Sequence, residues 1–318
     1  MSAAATDRGS NDRPLTAIGL KITSICIFVA MQAFIKLAGQ LPTGQISFFR
    51  SFFALFPIVL YLLWQGQLRG ALHTQRPWGH AYRGIVGVAS MMFGFFALTR
   101  LPLPEAIMLN YAQPLLVIVI SALLLGETVR IYRWSAVAVG FIGVFIIVWP
   151  NLTLFRSGEG LGSAEGLGVA AALIAAGISA VAMIQVSSLV ATEKTATIVL
   201  YFSITSSVVA LLTIPFGWSS LSAWQATCLI LCGFCGGVAQ IFMTEAYRYG
   251  SAATVAPFEY SSIIIGSIVG YMIFSDLPTP YSIVGGAIVI SAGLFILWRE
   301  HKLGLQRVRA KGASPPSV

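Results

Sequence analysis

The chain has 318 residues, of which 57% are hydrophobic and only 9% charged, and its mean hydropathy is +0.85. A soluble globular domain carries about 25% charged residues, so this composition excludes one and calls for a polytopic membrane protein. The formal charge of +8 does not point to nucleic acid, because Lys and Arg are dispersed over many short loops rather than gathered on one face.

In chain order, residues 1–14 form a polar cytoplasmic tail without a cleavable signal pattern, so the first apolar segment is expected to stay as a membrane helix. Ten spans follow: Leu15–Leu37, Gln45–Trp64, Tyr82–Leu101, Glu105–Leu125, Tyr132–Trp149, Leu167–Val190, Thr195–Ile214, Ala223–Tyr247, Ser251–Phe274 and Tyr281–Trp298. Most connections are tight and marked by Pro, Gly or charge, as in Pro102-Leu103-Pro104 and Pro278-Thr279-Pro280. Residues 151–165 read as a periplasmic linker and residues 300–318 as a basic cytoplasmic tail that is attracted to anionic lipid.

With the N-terminus inside, the cytoplasmic segments collect most of the 19 Lys and Arg, including Lys21, Arg69, Arg76 and Arg83, whereas the outside loops hold Arg100 and Arg156. The positive-inside rule then puts both termini in the cytoplasm. Lys36 and Arg50 lie within spans and stand outside this count.

The ninth span has a twin. A shift of 149 residues lays Ala97–Trp149 over Ala246–Trp298 without a gap, superposing Asn110 on Glu259, Tyr111 on Tyr260 and Glu127 on Asp276. Five spans per half force the second copy to enter the membrane from the opposite side, so residues 15–150 and 166–299 read as inverted five-helix repeats. Inverted repeats are the architecture of secondary transporters, which bind substrate near the midplane between the copies.

Candidate site residues come from polar groups at bilayer depth. Glu259 costs about 2.5–3.5 kcal/mol to bury there and shares a stripe with Ser262 and Gly266, so it faces either a cavity or a neighbouring helix that it fixes by hydrogen bonding. A buried carboxyl of this kind is compatible with proton coupling. Pro257 removes an amide donor and suits a helix bent around a cavity, as does Pro114 in span four. Asn110, Tyr111 and Gln113 form a polar belt before Pro114, with Gln113 on the Asn110 stripe; the alternative is a helix–helix hydrogen bond. Arg50 could bind a substrate carboxylate or phosphate bidentately or snorkel to the outer interface, and Lys36 reads first as such an anchor. Tyr260 and Tyr111 are retained as substrate contacts because the repeat superposes them. Glu245 and Arg248 have the spacing of a structural or gating ion pair. Glu127 and Asp276 read as caps of the helices that follow them.

The Cys228, Cys232 and Cys235 run is interleaved with Gly233, Gly236 and Gly237, which favours close helix packing over metal or redox chemistry. Gly266-x-x-x-Gly270 serves either internal contacts or a dimer face, so monomer and homodimer both remain open. No Walker motif, dinucleotide fingerprint or metalloprotease motif occurs, so no enzyme activity, cofactor or metal is expected.

The segment Leu123-Leu124-Leu125-Gly126-Glu127, with Trp134 and Gly140-Phe141-Ile142-Gly143-Val144, resembles the EamA domain of the drug/metabolite transporter superfamily. Its duplicate, with Phe258-Glu259-Tyr260 and Phe274-Ser275-Asp276, resembles a branch of S-adenosylmethionine and riboflavin carriers. Asp276 stands where the family usually has Glu, and Glu259 has no acidic counterpart in the first copy. The resemblance implies a ten-helix basket with a cavity lined mainly by spans one, three, four, six, eight and nine, and it strengthens Lys36 and Arg50 as substrate contacts. The expectation is a secondary carrier that moves a small organic metabolite across the bacterial inner membrane by alternating access. A lipid-modifying membrane enzyme would need clustered catalytic His, Asp or Ser, and a scaffold or sensor would not need an inverted duplication around midplane polar groups.

Overall fold

A computed structural model describes residues 13–124, 129–153, 164–190, 192–249 and 255–312. The first half contains α1 (Pro14–Leu37), α2 (Thr43–Trp64), a single turn α3 (Leu68–Ala71), α4 (Pro77–Leu98), α5 (Leu103–Asn110), α6 (Ala112–Leu124) and α7 (Ile131–Thr153). The second contains α8 (Ala164–Val190), α9 (Thr195–Leu211), α10 (Ala223–Tyr249), a 3-10 turn at Ala256–Tyr260, α11 (Ser261–Phe274) and α12 (Pro280–Gly312). Among the described residues nine segments are long and apolar enough to cross a membrane. The tenth expected span, α9, is a 17-residue apolar helix, about 25 Å long, that a 3-10 turn at Ile214–Phe216 prolongs.

Lipid-facing stripes can be read from exposure. On α2 the exposed apolar residues Phe52, Phe56, Leu60 and Leu63 recur at three- and four-residue steps, and on α11 Ile264, Ile268, Tyr271 and Met272 do the same. The opposite faces carry small residues, as on α8, where Ala171, Ala172, Ala175, Ala176 and Ala180 are all buried and let α4 approach closely. The glycines beside the cysteines of α10 have the same role. A Cβ at Gly233 would stand 2.6 Å from the Phe49 carbonyl oxygen, and one at Gly237 2.6 Å from that of Ala54. Gly266 and Gly270 face inward as well, against Ile107 and Pro104 of α5, which makes this pair an internal contact.

The fourth span is not one helix. Pro114 has no N–H to offer the Asn110 carbonyl, and its ring crowds that carbonyl. The chain therefore turns at Tyr111, whose N–H bonds back three residues to Met108 at 3.1 Å, before α6 begins. The ninth span is interrupted at the corresponding place, where Pro257 opens the 3-10 turn that ends at Tyr260. These two interruptions meet, with the rings of Tyr111 and Tyr260 at 5.0 Å.

Both ends of the bundle are tied across elements. At one end Gln45 Nε2 donates to the Ser219 carbonyl at 2.9 Å and Gln225 Nε2 to that of Ala38 at 3.2 Å. At the other, Glu193 Oε1 accepts from Thr74 Oγ1, Gln75 N and Arg76 N at 2.8, 2.9 and 3.1 Å, capping the start of α4 from the α8–α9 connection.

Candidate functional site

A cavity of about 240 Å³ lies between α2, α4, α6, α8 and α9. Its polar wall is Arg50, Arg83, Ser90, Gln113 and Ser179; its apolar wall includes Met91, Val186 and Phe202. Arg50 sits seven residues into α2 and Arg83 six into α4, so each backbone lies roughly 9–10 Å from the start of its helix. Their long side chains converge on one ring, with the guanidinium carbon of Arg83 4.3 Å and that of Arg50 5.9 Å from the centre of Phe202.

The local sequence permits this convergence. Gly87 lies one turn after Arg83 on the same face, and a Cβ there would fall 2.1 Å from Arg83 Nη1 and 2.6 Å from Phe202 Cε2. The missing side chain lets the guanidinium fold back along α4. Gly236 of α10 makes similar room for Arg50, whose Nε would lie 3.4 Å from a Cβ at that position. Ser90 Oγ donates to the Ala175 carbonyl at 3.0 Å and shares a 2.6 Å hydrogen bond with Ser179 Oγ, which fixes α4 against α8 beneath the arginines. Arg83 Nε and Nη1 are buried without a hydrogen-bond partner.

A second cluster surrounds Glu259, between α1, α5 and the 3-10 turn. Lys21 Nζ, on a side chain only 1% exposed, meets Glu259 Oε2 at 3.0 Å, while the Glu259 side chain is 46% exposed. The same ammonium lies 5.5 Å from the centre of the Tyr247 ring. Tyr111 donates through its hydroxyl to the Glu259 carbonyl and shares a hydrogen bond with Ser262 Oγ, each at 2.6 Å. The Tyr260 hydroxyl rests over Gly293 of α12.

A third cluster closes the α1–α2 end. Lys36 forms an ion pair with Asp276 and donates to the Leu101 carbonyl at 3.0 Å. The same Asp276 oxygen accepts the Leu103 N–H at 3.2 Å. Beside it Glu105, 9% exposed, accepts from Ser282 Oγ at 3.1 Å.

These positions correct several expectations. Lys21, counted above with the loop charges, is the buried partner of Glu259, and Arg83 lines the cavity. Lys36 is not a snorkelling anchor: it is paired, and it lies outside the Arg50–Arg83 cavity. Asp276 does not cap its own following helix, because Thr279 Oγ1 accepts the Ser282 N–H there at 3.2 Å; Asp276 caps α5 instead. Glu127 lies outside the described residues. Asn110 is exposed and absent from the cavity wall although Gln113 lines it, since the break at Tyr111 destroys the helical register that would align them. Spans two and seven line the cavity in place of one, eight and nine, which gather instead around Glu259. Glu245 and Arg248 lie 3.5 Å apart, and Glu245 also accepts the Tyr61 hydroxyl at 2.6 Å. Sequence reasoning missed Arg83, Ser90, Ser179, Phe202 and Lys21; the glycine four residues after Arg83 was the available signal for the first.

The chain is similar to carriers of several metabolites. It is 28% identical to an S-adenosylmethionine uptake transporter of Rickettsia prowazekii over 84% of this chain and 86% of that protein. It is 31% identical to the pseudopaline exporter CntI of Pseudomonas aeruginosa over 86% and 93% of the two chains, and 30% identical to a riboflavin transporter of Rhizobium johnstonii over 73% and 74%. A solved crystal structure shares the fold with a TM-score of 0.61 at 19% identity, covering 89% of this chain and 97% of that one. The model of the EamA-like transporter family matches residues 15–149 and again residues 166–298, so the chain, a multi-pass membrane protein, belongs to that family.

Proposed function

We propose that the protein is a secondary transporter that carries a small organic metabolite across the bacterial inner membrane by alternating access, with two inverted five-helix copies moving about the cavity between them. The observation that carries this reading is the composition of the cavity wall: Arg50, Arg83 and Gln113 come from the first family-matched segment, Ser179 and Phe202 from the second. The helix pairings agree with inverted copies. Under the repeat correspondence the α1–α10 packing has its counterpart in α4–α8, and α2–α10 in α4–α9, while α2–α9 and α7–α12 are self-paired. Without Lys21 and Arg83 the charge imbalance across the loops keeps its sign, which supports cytoplasmic termini.

In this reading the two tied ends act as gates, and Glu259 with Lys21 is the proton-responsive element. The test is counterflow in liposomes with labelled metabolites, with and without a pH gradient. Saturable exchange of at least one metabolite is expected, together with accessibility of a cysteine at Ser90 to impermeant reagents from alternate sides. A protein that exchanges nothing and labels from one side only refutes the reading.

A further inference from the structure

We infer that the cavity between Arg50 and Arg83 is built for a small organic dianion, a dicarboxylate or a phosphate monoester, which supplies the counter-charge the protein itself does not. This names the substrate class of the proposed transport site and rests on that reading for its physiological meaning.

Burying a guanidinium without a counter-ion costs several kcal/mol, and folds normally offset it with a carboxylate. Five of the described carboxylates are engaged elsewhere: Glu259 with Lys21, Asp276 with Lys36, Glu105 with Ser282, Glu193 with residues 74–76, and Glu245 with Arg248. No described carboxylate lines this cavity, where the two arginines are the only charged residues among the described ones. Two of the Arg83 nitrogens are buried with no acceptor, and neither arginine has an ion-pair partner among the described residues.

Geometry adds direction. Both guanidinium groups lie against Phe202, so their planar forks are held and pre-organised for bidentate acceptors such as carboxylate or phosphate oxygens. Gln113 offers an amide at the same wall, and Met91 and Val186 give an apolar surface for a short carbon skeleton. A second negative charge on the ligand matches the second arginine; a monoanion leaves one guanidinium uncompensated.

The test uses thermal unfolding of the full-length protein in lipid nanodiscs at matched ionic strength. Succinate, glutarate and glycerol 3-phosphate are compared with acetate, chloride and choline, the first two against the third deciding between dicarboxylate and phosphate. Dianions are expected to raise the midpoint saturably and to bind about ten- to a hundredfold more tightly than acetate. R50Q and R83Q should each remove about that factor, and R83K should restore part of it. Ligand-free R83Q should melt no lower than the parent, because it removes donors that have no partner; this keeps lost binding distinct from lost folding. Dianions no better than acetate or chloride overturn the inference, as does a response that survives both glutamine variants. Counterflow separates this failure from that of the transport reading. Exchange of a neutral or cationic compound that ignores both variants refutes the dianion site and leaves transport standing, whereas dianion binding without any flux does the reverse.

Discussion

Replacing Glu259 with Gln is the obvious test of an acid at bilayer depth, and the structure changes what that test should return. The two partners of the Lys21–Glu259 pair are unequal: the lysine side chain is 1% exposed and the glutamate 46%. At 3.0 Å and an effective dielectric of about 20 their attraction is about 5.5 kcal/mol, and the half-exposed carboxylate discounts this to about 3 kcal/mol. E259Q leaves an uncompensated ammonium in a buried position, so a loss of about 3 kcal/mol is expected, at the lower end of the range for breaking buried pairs. K21M instead leaves a carboxylate that water can reach, for a loss of about 1 kcal/mol. The double variant removes both charges and should lie near K21M, giving a coupling energy of about 3 kcal/mol. Denaturant titration of the four proteins in one detergent measures the cycle. Equal losses for the two single variants, or a double variant as unstable as the sum of both, would refute the asymmetry argument. The K21M/E259Q protein is therefore the proper subject for transport under a pH gradient, and its gradient-driven flux should be absent while its fold is intact.

Three further outcomes follow from named contacts. Gly87→Ala places a methyl 2.1 Å from Arg83 Nη1 and 2.6 Å from Phe202 Cε2 and must displace both, so ligand binding should fall at least about tenfold; parental affinity would mean the Arg83 position is immaterial. Ser275 is a non-glycine residue at φ 58° in a C-terminal turn where its N–H bonds to Tyr271 and that of Asp276 to Gly270, so Ser275→Gly should stabilise by about 0.5–1 kcal/mol in thermal unfolding. At Glu193 desolvation would push the carboxyl up, but the bonds from Thr74, Gln75 and Arg76 and the neighbouring His80 outweigh it and hold the group below its ordinary value. Its contribution is thus present above the ordinary carboxylate range and is lost as pH falls through the depressed value. Hydrogen exchange at residues 72–77 should stay slow at neutral pH and accelerate on acidification, and E193Q should exchange fast at neutral pH too.

The class of the molecule and the order of its helices were legible because hydropathy and the Pro and Gly punctuation are local signals. The internal repeat singles out Tyr111 and Tyr260 as a pair of substrate contacts, but nothing in it announces that their rings pack on each other. What the sequence could not convey was partner choice. Lys21 and Arg83 both stand near the starts of spans, where any cation satisfies the positive-inside pattern equally well, and only the packing of α1 on the 3-10 turn and of α4 beside α9 gives them other work. A continuous helix would put Asn110 and Gln113 on one stripe. Pro114 gave notice of a bend, but the rotation it imposes on Asn110 relative to Gln113 depends on how α5 is capped, and that cap comes from Asp276, far along the chain.

That cap has a mechanical meaning. A single oxygen of Asp276 holds both the ammonium at the end of α1 and the first amide of α5, so three separate pieces of chain share one fastening. Withdrawal of the segment that carries Asp276 releases both others from it in one stroke, whereas departure of α1 alone leaves the carboxylate on α5, so this rim of the bundle loosens from the Asp276 side.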